Sequence, residues 1–444
     1  MNNQNFVQLG NRIDQYGNQH QVISELARGG QGVVYRTTDA DIAIKQPLGI
    51  NGEVSRTTDL QKNFENIRVL PIPRNIPISL PLAVLRDEAG YVMRLLSEME
   101  KFGAFELSGA QRVLLERESV PRWLENIDDR TSRLTLMHYG NTGSTKRRFK
   151  ALSKCASILA RLHASGLVYG DISPNNCFMS QMNSRDVWLI DADNLRFEVQ
   201  KGGSAVYTPR YGAPEVVQGR DQSRPQTDAW AFAVMAFETL TQVHPFIGQR
   251  VLLADEGQGG WDVESGENTI VEDLDEKAYG GLFPFIDDED DDSNQGINGL
   301  PRNLVLNTQL VKLFQETLGI GRKEPWTRPG MVYWALELAR AHDNSLVCPQ
   351  CSMSFFLEYI QCPYCEALRP SFAIAKTDRW QMAIQVTSNG IELPHRLFNA
   401  FSLEMNDVAQ YQIVLDVEKK FVGNAFGTKL LPIGLSFHFF EEGE

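Results

Sequence analysis

Along the first hundred residues, apolar positions come in short alternating runs broken by Gly, Asp and Asn, which predicts strands at 21–26, 33–37, 41–46, 80–85 and 91–96. Between them, residues 57–70 switch to a helical period, with Leu60, Phe64, Ile67 and Val69 on or near one face. From about residue 105 helices prevail. Residues 148–163 carry Leu152, Cys155, Ile158, Leu159 and Leu162 as one apolar stripe. A strand-rich half followed by a helix-rich half predicts an α+β fold with a cleft between two lobes. Beyond Leu368 the alternation returns, in Trp380, Met382, Ile384 and Val386 and again in Tyr411, Ile413, Leu415 and Val417, with Asn389-Gly390 as a turn signal. The tail is expected to form a small β-rich domain.

Length changes this picture only by requiring more than one core, since 444 residues exceed a single ordinary domain. The longest strongly apolar run, residues 230–237, is far short of the roughly 20 residues that span a bilayer. The N-terminus lacks the basic start and apolar core of a secretory signal, so no membrane partner and a cytoplasmic location are expected. Net charge is -13, and residues 251–300 hold fifteen acids against Lys277 alone. That balance argues against nucleic acid as the main partner. Like charges packed this densely repel, so residues 256–298 are expected to form a mobile surface insertion; a binding tail for a basic substrate is the sharper alternative.

Candidate chemistry begins at Ala27-Arg28-Gly29-Gly30-Gln31-Gly32-Val33, between two predicted strands. Glycines let a backbone turn tightly and present its N–H groups to phosphate oxygens. An unliganded glycine hairpin would read the same way. Ala43-Ile44-Lys45 then places one cation within a strand, and Glu65 follows on the predicted helix. A buried lysine needs a carboxylate partner, for which Glu65 is the first candidate and Glu53, in a glycine-containing turn, the second. In the stretch 169–176, Tyr-Gly-Asp-Ile-Ser-Pro-Asn-Asn, Asp171 can accept a hydroxyl proton and Asn176 can ligate a hard cation. A short buried strand then ends in Asp191, placed to hold magnesium. Each segment has a purely structural reading; all of them in this order make that reading poor.

Residues from about 20 to 340 resemble a eukaryotic-like protein kinase domain of the bacterial type. Residues 207–215 are similar to the end of a kinase activation segment, closing on Ala213-Pro214-Glu215. Asp228-Ala229-Trp230 opens the apolar helix expected at the centre of the large lobe, and Arg328 matches the late arginine that pairs with Glu215. The resemblance implies that Asp171 accepts or orients the substrate proton, that Asn176 and Asp191 hold Mg²⁺, and that Lys45, held by Glu65, binds the α and β phosphates of ATP. Ala27, Gly29, Gly30, Gln31, Gly32, Val33 and Ala43 would line the nucleotide, and Thr208 would support Asp171. Some positions depart from the family pattern. Tyr169-Gly170 stands for His-Arg, which removes the arginine that usually pairs with a phosphorylated loop. Asp191-Ala192-Asp193 stands for Asp-Phe-Gly, and Ser173 for a lysine toward the γ-phosphate.

Cys348-Pro-Gln-Cys351 and Cys362-Pro-Tyr-Cys365 lie ten residues apart. Two tight turns presenting two thiolates each suit a closed structural Zn²⁺ site better than a redox pair. The segment resembles a zinc ribbon. A kinase followed by a ribbon is similar to bacterial kinases of the tellurite-resistance-associated class, which implies a von Willebrand A domain protein and a metal-dependent phosphatase as partners. The expected layout is an N-terminal extension (1–20), two kinase lobes (21–97 and 98–343), the ribbon (344–368) and the β-rich domain (369–444). Three readings compete with an ATP-dependent serine/threonine-protein kinase acting on a protein substrate. A small-molecule phosphotransferase would lack Glu215 with its late arginine, a pseudokinase scaffold would lack one of the four catalytic residues, and a nucleic-acid-binding ribbon would be basic.

Overall fold

The computed structural model of the chain describes residues 10–29, 32–49, 52–54, 58–73, 75–181, 186–198, 207–252, 274–296, 298–376, 380–385, 413–416, 421–424 and 436–440. The first lobe is a six-stranded antiparallel sheet of β1 (Asn11–Ile13), β2 (Gln19–Arg28), β3 (Gly32–Thr37), β4 (Ile42–Pro47), β5 (Ala83–Val84) and β6 (Tyr91–Arg94), in the order β1-β2-β3-β4-β6-β5. The expected N-terminal extension is therefore part of the sheet from residue 11 onward, because β1 completes the free edge of β2. Side chains alternate across the pleat as period two requires. Ile44 and Val92 point into one cluster with Val22, Val33 and Leu85, while Ala43 and Tyr91 point into the other with Phe64 of helix α1 (Thr58–Arg68).

Helix α1 turns Leu60, Phe64 and Ile67 inward, and Phe64 meets the Tyr91 ring edge-on at 4.9 Å. That inward stripe leaves Glu65 on the outer, exposed side of the helix.

The second lobe is built around the helix Pro225–Thr241, buried from Thr227 to Thr241 on every side, as its all-round apolar sequence demands. The helices Ser144–His163 and Met331–Asp343 pack on one another beside it. Arg148, fully buried with no carboxylate partner among the described residues, ties four segments together. Its guanidinium donates to the carbonyls of Phe105 (3.2 Å), Tyr139 (3.2 Å), Ser144 (3.1 Å) and Thr239 (3.0 Å) and lies 3.7 Å from the centre of the Tyr139 ring. Burial pushes its pKa down to about 10, which leaves it charged at neutral pH.

The acidic stretch departs from expectation. Residues 253–273 lie outside the described residues, but 280–296 are packed against the lobe. Phe285, Ile286 and Asn294 are buried, Asn294 donates to the carbonyls of Phe246 (3.1 Å) and Pro284 (2.8 Å), and Arg302 grips Asp287 at 2.6 Å. These side chains anchor the run, Asp288 and Asp291 accept from the backbone N–H of Asp290 and Ser293, and Glu289, Asp290 and Asp292 are exposed.

Downstream, Ser345–Val347 pairs with Ser354–Phe356 as a hairpin. The strands Phe372–Lys376, Gln381–Gln385 and Ser436–Phe440 form a three-stranded sheet, and Ile413–Asp416 pairs with Phe421–Asn424. Met382, Ala383 and Ile384 are all buried, so this strand is covered on both faces rather than alternating. Val386, Asn389-Gly390, Tyr411 and Val417 lie outside the described residues. No helix among the described residues is long and apolar enough to cross a membrane.

Two outcomes follow. Arg148→Met should lower the unfolding free energy by on the order of 3 kcal/mol, measured by denaturant titration, because it strands several buried carbonyls. His244, buried beside Phe246, is held by desolvation at a pKa of about 3, against about 6.5 in the unfolded chain. Its contribution is thus complete above pH 6.5 and is lost as pH falls from there toward 3. The stability difference between wild type and His244→Gln should change by roughly 1.4 kcal/mol per pH unit in that window.

Candidate active site

The site lies where the sheet of the first lobe meets the loops of the second. Asp171 follows the short strand Leu167–Val168, and its loop is fixed from below by Asp228 at the start of the central helix. Asp228 accepts from the backbone N–H of Tyr169 (2.8 Å) and of Gly170 (2.9 Å), and its carboxylate is 2.9 Å from His163 Nε2. Gly170 has φ +83°, a left-handed conformation that glycine adopts without strain.

Asp171 itself is buried, with both carboxylate oxygens engaged. Thr208 Oγ1 donates to Oδ1 at 2.6 Å, and Asn176 Nδ2 donates to Oδ2 at 3.1 Å and to the Asp171 carbonyl at 2.9 Å. Burial raises its pKa against the pull of Thr208, with Asp191 adding to the rise. That leaves a more basic carboxylate than an exposed one, as proton acceptance needs. The structure thus brings Asp171, Asn176 and Thr208 together.

Lys45 reaches this cluster from β4. Its Nζ donates to Asp191 Oδ1 and, at 2.7 Å, to Asp193 Oδ2. Burial works against its charge, but Asp193 and Asp191 outweigh burial and hold its pKa above the ordinary lysine value. Tyr91 of β6 donates its hydroxyl to the other Asp193 oxygen at 2.7 Å. Asp191 takes a left-handed conformation, φ +60°, which turns its carboxylate toward the lysine. The expected partner of Lys45, Glu65, is exposed on the far side of α1; the helix touches this segment instead through Asn63, whose amide lies 3.3 Å from the Asp193 carbonyl oxygen. Glu53, the second candidate, is also exposed. In the sequence Asp193 stands out only as a departure from the family pattern, with no partner assigned to it, and Tyr91 does not stand out. The available signal was a second acid two places after Asp191, where the family pattern has glycine.

Of the glycine segment, Ala27 is the last residue but one of β2, Gly29 donates to the Gly32 carbonyl at 2.9 Å, and Gly32 and Val33 open β3; Gly30 and Gln31 lie outside the described residues. A Cβ on Gly32 would meet the Gln46 carbonyl oxygen at 2.9 Å and Lys45 Cε at 3.2 Å, so only glycine lets this strand lie over the lysine. Ala43 is fully buried behind it. Ser173 Oγ is buried without a hydrogen-bond partner among the described residues, in the loop between Asp171 and Asn176.

Farther down, Arg328 holds Glu215 by a two-pronged pair at 2.7 and 2.9 Å and donates to the Gly321 and Gln226 carbonyls at 2.9 and 3.0 Å. Its guanidinium lies 4.8 Å from the Trp230 ring centre, which fixes residues 213–217 onto the central helix. Beside them Arg210 and Tyr211 converge on the buried Glu238, with the Tyr211 hydroxyl at 2.8 Å.

The four cysteines form a second centre. Their sulfurs lie within 4.8 Å of one another, with Cys348 and Cys365 at 3.5 Å and Cys351 and Cys362 at 3.6 Å. Four thiolates about 2.3 Å from one Zn²⁺ would sit about 3.8 Å apart, so the residues fit that ion. Cys155 and Cys177 are fully buried and face each other at 3.7 Å.

Comparison with known proteins agrees with this arrangement over part of the chain. Residues 127–258 match the protein kinase domain family. A RAC family serine/threonine-protein kinase homolog of Dictyostelium discoideum is 35% identical over 97 residues, 21% of each chain. Serine/threonine-protein kinase PknA of Mycobacterium tuberculosis is 29% identical over 132 residues, 29% of this chain and 28% of its own. Ribosomal protein S6 kinase alpha-6 of Homo sapiens is 35% identical over 101 residues, 22% of this chain and 13% of its own. The chain thus spans under a third of the length of these curated relatives. With two lobes, the Asp171 loop and the lysine cluster in one cleft, the chain carries a protein kinase domain of the bilobal α+β fold.

Proposed function

We propose that the chain is an active, ATP-dependent serine/threonine-protein kinase. The observation that carries this reading is the Asp171 carboxylate, buried and held on both oxygens by Thr208 and Asn176, facing the Lys45–Asp191 pair across the cleft. A carboxylate so fixed can take the proton of an incoming hydroxyl without first reorganising, and phosphoryl transfer depends mainly on such positioning and on charge stabilisation. Lys45 would hold the α and β phosphates, and Asn176 and Asp191 would hold Mg²⁺, which neutralises charge on the phosphate oxygens when bound. The Glu215–Arg328 pair supports a protein substrate over a small molecule, because it builds a rigid platform beside Thr208 of the kind an extended peptide needs. The relatives named as serine/threonine kinases favour those hydroxyls over tyrosine.

We assign the four cysteines to a structural Zn²⁺, since all four ligand positions are filled by thiolates and none is left for substrate. The kinase-then-ribbon layout favours a bacterial signalling system of the tellurite-resistance-associated kind, with a von Willebrand A domain protein as the substrate and a metal-dependent phosphatase as its antagonist. This assignment stands on the order of modules alone.

Incubation with γ-labelled ATP, Mg²⁺ and a mixed protein substrate tests the main reading. Asp171→Ala should lower label transfer by about 10²- to 10⁴-fold while the protein still binds ATP. Equal labelling by wild type and variant, or none by a folded wild type, would sink it. For the ribbon, elemental analysis should find one zinc per chain. Cys362→Ser should release it and lower the melting temperature, because metal binding here is coupled to folding.

A further inference from the structure

We propose that Asp193, rather than a residue of helix α1, is the carboxylate that positions Lys45 for catalysis, an assignment that rests on the kinase reading above. The ammonium group has three N–H donors. One meets Asp191 and one meets Asp193 at 2.7 Å, which leaves the third for a phosphate oxygen. Asp191 is also the residue that would hold Mg²⁺, and a carboxylate oxygen engaged by a divalent cation is a poor acceptor for a second cation. Asp193 has no such competing duty. Its other oxygen is fixed by the Tyr91 hydroxyl at 2.7 Å, and its backbone carbonyl oxygen lies 3.3 Å from the Asn63 amide. It is therefore locked by two elements of the first lobe, β6 and α1, while aimed at the tip of Lys45.

The placement explains why the segment reads Asp-Ala-Asp. A glycine at 193 would leave the buried Lys45 with Asp191 alone, and Ala192, fully buried, is small enough to let the turn 192–194 fold back under the lysine. Glu65 cannot take over from its outward-facing position, since Leu60, Phe64 and Ile67 already occupy the inner face of α1. One consequence concerns control. Because both acids that orient Lys45 come from one turn, the pairing needs no carboxylate from α1, which contributes the Asn63 amide instead.

The test uses the full-length chain and the variants Lys45→Met, Asp193→Asn, Tyr91→Phe and Glu65→Gln, with apo melting temperatures checking that each folds. ATP affinity is measured by titration, and kcat and KM for ATP by label transfer. Asp193→Asn should reduce kcat/KM by about 10- to 100-fold, the loss of a charge-assisted bond. It should move the same parameter, kcat or KM, that Lys45→Met moves, and the double variant should be no worse than Lys45→Met alone. Tyr91→Phe should show a smaller loss in the same parameter, and Glu65→Gln should stay within about twofold of wild type, as a surface substitution does. A Glu65→Gln loss as deep as that of Lys45→Met, with Asp193→Asn near wild type, would overturn the assignment and leave the kinase reading intact. A wild type that binds ATP but transfers no label would sink the kinase reading alone, and Asp193 would then be judged by whether its variant loses ATP affinity as Lys45→Met does. A folded wild type that binds no nucleotide overturns both.

Discussion

The carboxylate of Asp228 is the point on which the cleft hangs. It sits buried at the start of a helix that is itself buried on every side, so it cannot move without disturbing the centre of the lobe. Through two backbone bonds, to the N–H groups of Tyr169 and Gly170, it fixes the loop that presents Asp171, and its contact with His163 ties in the end of the neighbouring helix. A buried carboxylate is costly unless its oxygens are paired, and here the pairing is made with the backbone that must be held still. Substitution at this position would leave the buried N–H of Tyr169 and the half-buried N–H of Gly170 without this acceptor.

From that anchor the rest of the site is arranged in tiers. Asp171 takes its orientation from Thr208 and Asn176, and Thr208 belongs to a segment pinned at its far end by Glu215 and Arg328. Asp171 and the segment from Thr208 to Glu215 therefore share one mechanical frame. Lys45 belongs to the other lobe, and among the described residues its bonds across the cleft are to Asp191 and Asp193. Charge pairing, rather than apolar packing, is what joins the two halves at the point where ATP would enter. Polar contacts of this kind can be exchanged for contacts to a charged ligand.

Much of this was legible in the residues. The glycine segment, Lys45, Asp171, Asn176 and Asp191 stand out because their chemistry demands those residue types in that order, and the helix stripe of 148–163 and the strand pattern place them correctly about a cleft. Glu65 misled because it lies on the helix that follows Lys45 and suits a lysine's need for a carboxylate, although the helical period already sets it off the apolar face. The inner face of α1 is taken by Leu60, Phe64 and Ile67, and the lysine finds its second acid 128 residues downstream of Glu65, at Asp193. The acidic run misled for a different reason. Charge density alone predicts repulsion, yet Phe285, Ile286 and Asn294 are spaced around it closely enough to anchor it, and Arg302 supplies a counter-charge from the next helix. Arg148 had little signal, since its acceptors are, apart from the Thr142 hydroxyl, backbone carbonyls that any sequence would offer.

The cysteine module is not a bead on a string, and this bears on why it follows the catalytic domain so closely. The helix Ser144–His163 starts at Gly143, which has no side chain to cap it. The missing cap comes from 210 residues away, where Ser354 in the ribbon hairpin accepts from the Lys146 N–H at 2.8 Å and its own N–H donates to Ser144 Oγ at 2.9 Å. Lys146 Nζ adds a bond to the Ser345 carbonyl at 2.5 Å, and Phe356 packs on Phe149 at 5.8 Å. A side-chain cap of this kind contributes about 1 kcal/mol. Its location matters more than its size, because the capped helix also carries Arg148, and through Arg148 the carbonyl of Phe105 in the segment that leads from the first lobe into the second. A hairpin seated in this way holds the start of a helix that, through Arg148, also holds the segment between the two lobes.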